Sequence, residues 1–265
     1  MSVLSVEQLN FFEANGYLVL RNLIEPEWFE SLRAAVLRVI QGADTGIRSR
    51  TTVERKNGLL TTQLQQLHLA DPRIGEFIFH PKLAAIAAAL MMDTPEVRLW
   101  HDQIVYKPPR VGGQVAFHQD YFYWRHLSAP DMVSAWCALS RSDEQSGCMY
   151  VVPGSHRWGL IKNRYRHEDS ELEFILTSCA DRNPRKVPLV LEPTDVSFHH
   201  ALTIHGSYQN ESDHDRLGYV LHYLPSHIRY VEEFDALKQD GVTVKDGELI
   251  RGKNFQVVWP PHSAN

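Results

Sequence analysis

Apolar residues recur at two different periods along this 265-residue chain, and the change from one to the other falls near residue 97. Upstream the period is helical. Ser5 and Gln8 have the spacing of a capping box ahead of Leu9, Phe11 and Phe12, which predicts a helix that stops at Gly16. Tyr17 to Leu20 then reads as a short strand. Pro26 opens a second helix, whose Phe29, Leu32, Val36, Val39 and Ile40 form one apolar stripe before Gly42 ends it. A third runs from Pro81 through Leu83, Ile86, Ala87 and Leu90. Downstream, short apolar or alternating runs fall at 97–107, 114–122, 133–140, 148–152, 188–191, 195–199, 202–207 and 217–224, punctuated by "KPP", "GG", "SG" and "PGS". A series of short strands behind a helical region predicts a mainly β fold with flanking helices, a double-sheet jelly roll. The expected organisation is one domain over 1–265, with a helical preface to about 95, a jelly-roll core over about 96–225 and an extension over 226–265. The polar stretch 157–187 reads as an insertion or mobile lid.

Composition narrows the classes of function. With 43% hydrophobic and 22% charged residues the chain can bury a substantial core, and no Ser/Gly/Pro-rich linker divides it. The net charge of −5 argues against a nucleic-acid partner, which calls for a concentrated basic face. No apolar run reaches membrane-spanning length and no export signal is evident, so the expected location is the cytoplasm. Three cysteines, Cys137, Cys148 and Cys179, lack a C-x-x-C spacing and read as small buried hydrophobes. Asn210 heads a glycosylation triplet that means nothing without export.

The chemistry centres on "VAFHQDYFYW", where His118 and Asp120 stand two apart in a run of β-branched and aromatic residues. A second such triplet, His167 to Asp169, lies in the charged run "NRYRHEDSELE" and reads as a solvated surface. On a strand, residues i and i+2 point the same way, so His118 and Asp120 can converge on one ion. The best-placed third ligand is His205 in "LTIHGSYQN"; His199 and His200 are nearby competitors at the end of a different strand. Two imidazoles and one carboxylate form the facial triad of non-haem Fe(II) oxygenases, which leaves positions open for O₂ chemistry. Such sites commonly bind 2-oxoglutarate, whose far carboxylate needs a buried cation. Arg216, opening "RLGYVLHY", fits that need, although pairing with Asp213 or Asp215 at the surface is the alternative. If the strand continues past Asp120, Phe122 and Trp124 share the metal-facing parity and line a substrate pocket; Trp124, like Trp136, could instead be a core aromatic. The basic run His156, Arg157, Lys162, Arg164 and Arg166 could meet an anionic substrate or simply be solvated.

The segments "YKPP", "FHQDYFYW", "SAWCAL", "GCMYVVPGSH", "IHGSYQN" and "DRLGYVLHY", in that order over roughly residues 10 to 225, resemble the phytanoyl-CoA dioxygenase-like family of Fe(II)/2-oxoglutarate oxygenases. The resemblance implies a double-stranded β-helix of the cupin type. It places iron on His118, Asp120 and His205, and 2-oxoglutarate against Arg216 with Ser207, Trp136 and Gln103 nearby. The activity it implies is oxidation of a small molecule by O₂, most simply hydroxylation, with release of succinate and CO₂. Desaturation, epimerisation or cyclisation would need the same residues and a different substrate placement. Halogenases of this class give up the carboxylate ligand, and Asp120 argues against that outcome. A jelly-roll isomerase using another metal without a keto acid is the remaining rival, and it would have no need of Arg216.

Overall fold

The computed structural model describes residues 3–42, 51–56, 58–92, 94–161, 173–234 and 241–261. The capping box forms as expected: the Gln8 N–H donates to Ser5 Oγ at 3.2 Å and the Ser5 N–H to Gln8 Oε1 at 2.8 Å, which starts α1 (Val6–Asn15). Gly16, left-handed at φ 76°, ends it. After β1 (Tyr17–Leu20) comes α2 (Pro26–Ile40), burying Phe29, Leu32, Val36 and Val39 of the apolar stripe. Next are the hairpin β2 (Thr51–Lys56) and β3 (Leu59–Gln65), then α3 (Pro72–Phe77) and α4 (Pro81–Leu90). The strands that follow are β4 (Val97–Lys107), β5 (Val115–His118), β6 (Val133–Ala138) and β7 (Met149–Val151). The short α5 (Phe174–Thr177) precedes β8 (Val187–Pro188), β9 (Val196–His200), β10 (His205–Ser207), β11 (Arg216–Pro225) and β12 (Val257–Trp259).

Three features depart from the hydropathy pattern. The hairpin and α3 carry no clear period; in β3 the buried positions, Thr61 and Leu64, are three apart, so the alternation that marks a half-buried strand is missing. The run 114–122 is a strand only to His118, because the chain turns into a 3-10 turn at Asp120–Phe122. The extension adds β12 to the large sheet and seals the end of the roll with Tyr230, Ile250 and Phe255, the last stacked on Trp100 at 5.1 Å.

All strand pairs are antiparallel. The large sheet runs β1-β9-β6-β11-β4-β3-β2, with β12 also on β4, and the small sheet runs β5-β10-β7-β8. Helices cover one face of the large sheet and the small sheet covers the other. β11 shows why it is buried at all ten positions. Leu217, Tyr219, Leu221 and Tyr223 pack with the helices, in a core that includes Leu32, Phe77 and Leu83. The alternate residues Arg216, Gly218, Val220 and His222 face the inside of the roll, where Val220 packs with Trp136, Met149 and Val151. A strand buried on both faces would ordinarily be apolar throughout, so the polar side chains on its inner face need another explanation.

Candidate active site

The register of the small sheet assembles the site. His118, the last residue of β5, lies directly opposite His205, the first of β10, and their rings are 4.3 Å apart. His118 Nδ1 is 2.8 Å from the carbonyl of Ala116, and His205 Nδ1 is 2.9 Å from that of Thr203. A carbonyl only accepts, so each ring carries its proton on Nδ1 and presents an unprotonated Nε2. Asp120 reaches the same point although it sits on the 3-10 turn, because Gln119 is still extended at φ −114°, ψ 130°. The buried Gln119 amide ties this bend to three backbone groups, donating to Gly159 O and Leu202 O and accepting from the Ile161 N–H.

Asp120 Oδ1 is 3.4 Å from His118 Nε2 and 3.5 Å from His205 Nε2, and the three ligand atoms all lie within 4.8 Å of one another. Adjacent donors on an ion with bonds of about 2.1 Å are about 3.0 Å apart, so the two Asp120 spacings are about half an ångström wider than a bound ion would set, and the three donors can converge on one ion. The electrostatics agree. Burial, then the neighbouring His118, pushes His205 down to about 3, which keeps it neutral. Burial alone would raise the Asp120 carboxyl, but the polar groups packed around it hold it well below the usual range, with His199 Nε2 and Ser134 Oγ donating to Oδ2. Of the competing histidines, His199 points Nε2 at the other oxygen of Asp120, 3.2 Å away, and His200 Nδ1 accepts the Leu202 N–H.

Across the roll, Arg216 is buried and its Nε and Nη1 have no hydrogen-bond partner among the described residues. The surface ion pair does not form: Asp213 pairs with Arg110, and Asp215 offers its carbonyl to Ser140. The guanidinium lies 4.7 Å over the Trp136 ring, and burial pulls it down to about 10. Opposite Arg216 on β4 is Lys107, fully buried. Sequence reasoning missed it as a functional residue. Its signal was a lysine on the same strand parity as Val105, which faces the inside. Lys107 Nζ donates to Ser207 Oγ at 2.7 Å and to the Tyr208 carbonyl. Burial, then Arg216, lowers it well below the usual lysine range. Asn210 braces this corner by donating to the carbonyls of Lys107, Pro108 and His214, a structural use of the residue that heads the glycosylation triplet. Gln103 is half-buried on β4 with the parity of Lys107, between Val220 and Gln65.

Gly218 makes room for this arrangement. A Cβ there would lie 2.0 Å from Trp136 Cζ2, so only glycine lets the indole lie flat against β11 below Arg216. Gly218→Ala is expected to destabilise the protein by about 1–3 kcal/mol by overpacking and to weaken cosubstrate binding as the indole is displaced. Thermal melting and 2-oxoglutarate titration of that variant check both effects.

The strand-parity argument for Phe122 and Trp124 fails, because the strand has ended before they are reached. Trp124 is buried, edge-on to His101 and His222 with centroids 5.7 and 4.8 Å away, and packs in the core that seals the roll. Phe122 is half-buried beneath the guanidinium of Arg125, 5.1 Å from its ring centre. The centre of the expected lid, 162–172, lies outside the described residues, and with it Lys162, Arg164, Arg166 and the second His-x-Asp triplet. The three cysteines are free and buried.

Two histidines and a carboxylate brought together on a jelly roll, with a buried guanidinium on the inner face of the larger sheet, make the layout of a recognised class, the non-haem iron and 2-oxoglutarate-dependent oxygenases, and this chain is one of them. The profile of the phytanoyl-CoA dioxygenase (PhyH) family matches residues 12–218, and the chain belongs to that family. The peroxisomal phytanoyl-CoA dioxygenase of Bos taurus is 24% identical over 265 residues, covering 95% of this chain and 77% of the bovine one. Among solved structures, the non-haem alpha ketoglutarate-dependent carbocyclase SnoK from nogalamycin biosynthesis superposes with a TM-score of 0.78 at 22% identity, over 97% of this chain and 98% of its own. The epimerase SnoN, solved with Fe³⁺, alpha ketoglutarate and nogalamycin RO, gives 0.76 at 20% identity, over 95% and 97%. At these identities the two structures speak to the fold. No helix among the described residues is long and apolar enough to cross a membrane.

Proposed function

We propose that His118, Asp120 and His205 hold the iron, that Arg216 anchors 2-oxoglutarate, and that the enzyme hydroxylates a small molecule of lipid or secondary-metabolite type. The observation that carries this reading is the pairing of a three-donor cluster with a buried guanidinium whose Nε and Nη1 are unpartnered. A buried charge without a partner is costly, and a bidentate carboxylate is the ligand that relieves it.

The chain's own residues divide the work. His118 and His205 lend Nε2 with their tautomers fixed by backbone carbonyls. Trp136 fixes the plane of the Arg216 guanidinium, whose Nε–H and Nη1–H are left to donate to the far carboxylate of the cosubstrate. Ser207 already accepts from Lys107, so its own hydroxyl proton is available for the same carboxylate. Lys107 holds that hydroxyl in place from β4, beside Arg216 on the neighbouring β11, with Nζ donating to Ser207 Oγ. Bound at the triad, iron supplies the activation of O₂ that is coupled to decarboxylation of 2-oxoglutarate to succinate. Asp120 fills the position that a halide would need, which favours oxygen insertion over halogenation.

Cyclisation or epimerisation is the second reading, favoured by the carbocyclase and epimerase among the structural neighbours. Anaerobic titration of the Fe(II) protein with 2-oxoglutarate is expected to produce a weak visible charge-transfer band; without it the keto acid does not reach the metal. Screening small molecules for stimulated succinate release then finds the substrate. The product mass decides the outcome, since hydroxylation adds one oxygen, cyclisation removes two hydrogens and epimerisation changes nothing.

A further inference from the structure

The inner face of the large sheet carries a polar row that neither metal nor cosubstrate accounts for. His199 on β9, Ser134 on β6, His222 on β11 and His101 on β4 are successive cross-strand partners, so one line of four polar side chains runs across four strands. All four are at most 5% exposed. Polar groups in such a place are retained only if something nearby uses their hydrogen bonds.

Two of them reach Asp120. Ser134 Oγ donates to Asp120 Oδ2 at 3.0 Å, and His199 Nε2 lies 3.2 Å from the same oxygen. An ionised carboxylate only accepts, so His199 carries its proton on Nε2. Ser134 has one hydroxyl proton and spends it on Asp120, so it must accept from His222 Nδ1, 2.7 Å away. Oδ1 makes neither of these bonds and faces the two histidine Nε2 atoms instead.

We propose that Ser134 and His199 are positioning residues that clamp Asp120 Oδ2, with His222 orienting Ser134, so that the carboxylate meets the metal through Oδ1 alone. Without the clamp the carboxylate can rotate about its terminal torsion, which is broad and weakly restrained by itself. It could then swing away or bind through both oxygens, closing a position that O₂ or the cosubstrate must use. This inference rests on the assignment of the metal to His118, Asp120 and His205.

The test is direct titration of the full-length apoprotein with Co(II), read by its visible absorption, for the wild type, His118→Ala, Ser134→Ala, Ser134→Thr, His199→Phe and His199→Gln. Partners of metal ligands typically contribute roughly 10- to 100-fold in metal affinity, and Ser134→Ala and His199→Phe are each expected to lose that much. Ser134→Thr keeps the hydroxyl, and His199→Gln places an amide N–H where Nε2 stood; both are expected to stay within about threefold of wild type. The Co(II) spectrum of Ser134→Ala is expected to change as well, because the carboxylate's mode of binding changes. If the wild type binds Co(II), His118→Ala does not, and Ser134→Ala and His199→Phe both match wild type, the clamp is wrong and the metal site stands. Equal losses in His199→Gln and His199→Phe would also overturn it, since bulk and not the N–H would then matter. Failure of the wild type to bind, or full binding by His118→Ala, overturns both assignments. Should one position fail to yield folded protein, the pair of variants at the other decides.

Discussion

His118→Ala and His205→Ala are each expected to abolish turnover while leaving the protein folded. Each substitution removes one of three protein donors, and the remaining two cannot define the face of the metal. The loss in Fe(II) affinity should exceed the roughly 10- to 100-fold seen when only an outer partner of a ligand is removed. Neither ring holds the sheets together: apart from the Nδ1 bonds to carbonyls two residues upstream, both present their remaining nitrogen to the site. Circular dichroism and thermal melting should therefore stay close to wild type. The decisive measurements are Fe(II) titration under anaerobic conditions and succinate release in air. Succinate release at more than a few per cent of wild type by either variant would remove that histidine from the iron site.

Arg216→Ala is expected to weaken 2-oxoglutarate much more than iron. Truncating one member of a buried, hydrogen-bonded charge pair costs about 2–4 kcal/mol, on the order of 30- to 1000-fold in affinity. Arg216→Lys should recover only part of the loss, because a single ammonium cannot reproduce the paired N–H groups. Lys107 is too engaged with Ser207 and the Tyr208 carbonyl to replace the missing guanidinium. Titration of the iron-loaded variants through the charge-transfer band measures this, with iron content determined in parallel. If Arg216→Ala binds 2-oxoglutarate within about threefold of wild type, a change of roughly 0.7 kcal/mol, another group anchors the cosubstrate.

Much of the site was written in the order of residues. His118, Asp120, His205 and Arg216 stood out because polar, chemically capable side chains interrupt apolar runs, and a polar residue on a buried strand face calls for a partner. Parity along β11 alone separates Arg216 from the helix-facing Leu217. Local signals also gave α1 and α2, through a capping box, an N-terminal proline and one apolar stripe, since these are contacts within a few residues.

What the sequence could not show is which strands become neighbours. That His118 stands opposite His205 is a matter of register between segments 87 positions apart, settled by the packing of two sheets. The same holds for Lys107, whose value comes from lying against Arg216 and Ser207, and for Ser134 and His199, which reach Asp120 only because β9, β6 and β11 are adjacent. The end of β5 at His118 departs from the sequence pattern for the same reason. A run of aromatic residues past Asp120 has strand propensity, but the long-range Gln119 bonds to Gly159, Leu202 and Ile161 go with a turn there. Sequence by itself determined the chemical types and, along β4 and β11, the face each residue occupies, because side-chain alternation is a local property of an extended backbone. The tertiary structure decided which of them meet, because strand pairing is a contest among distant segments that no local pattern records.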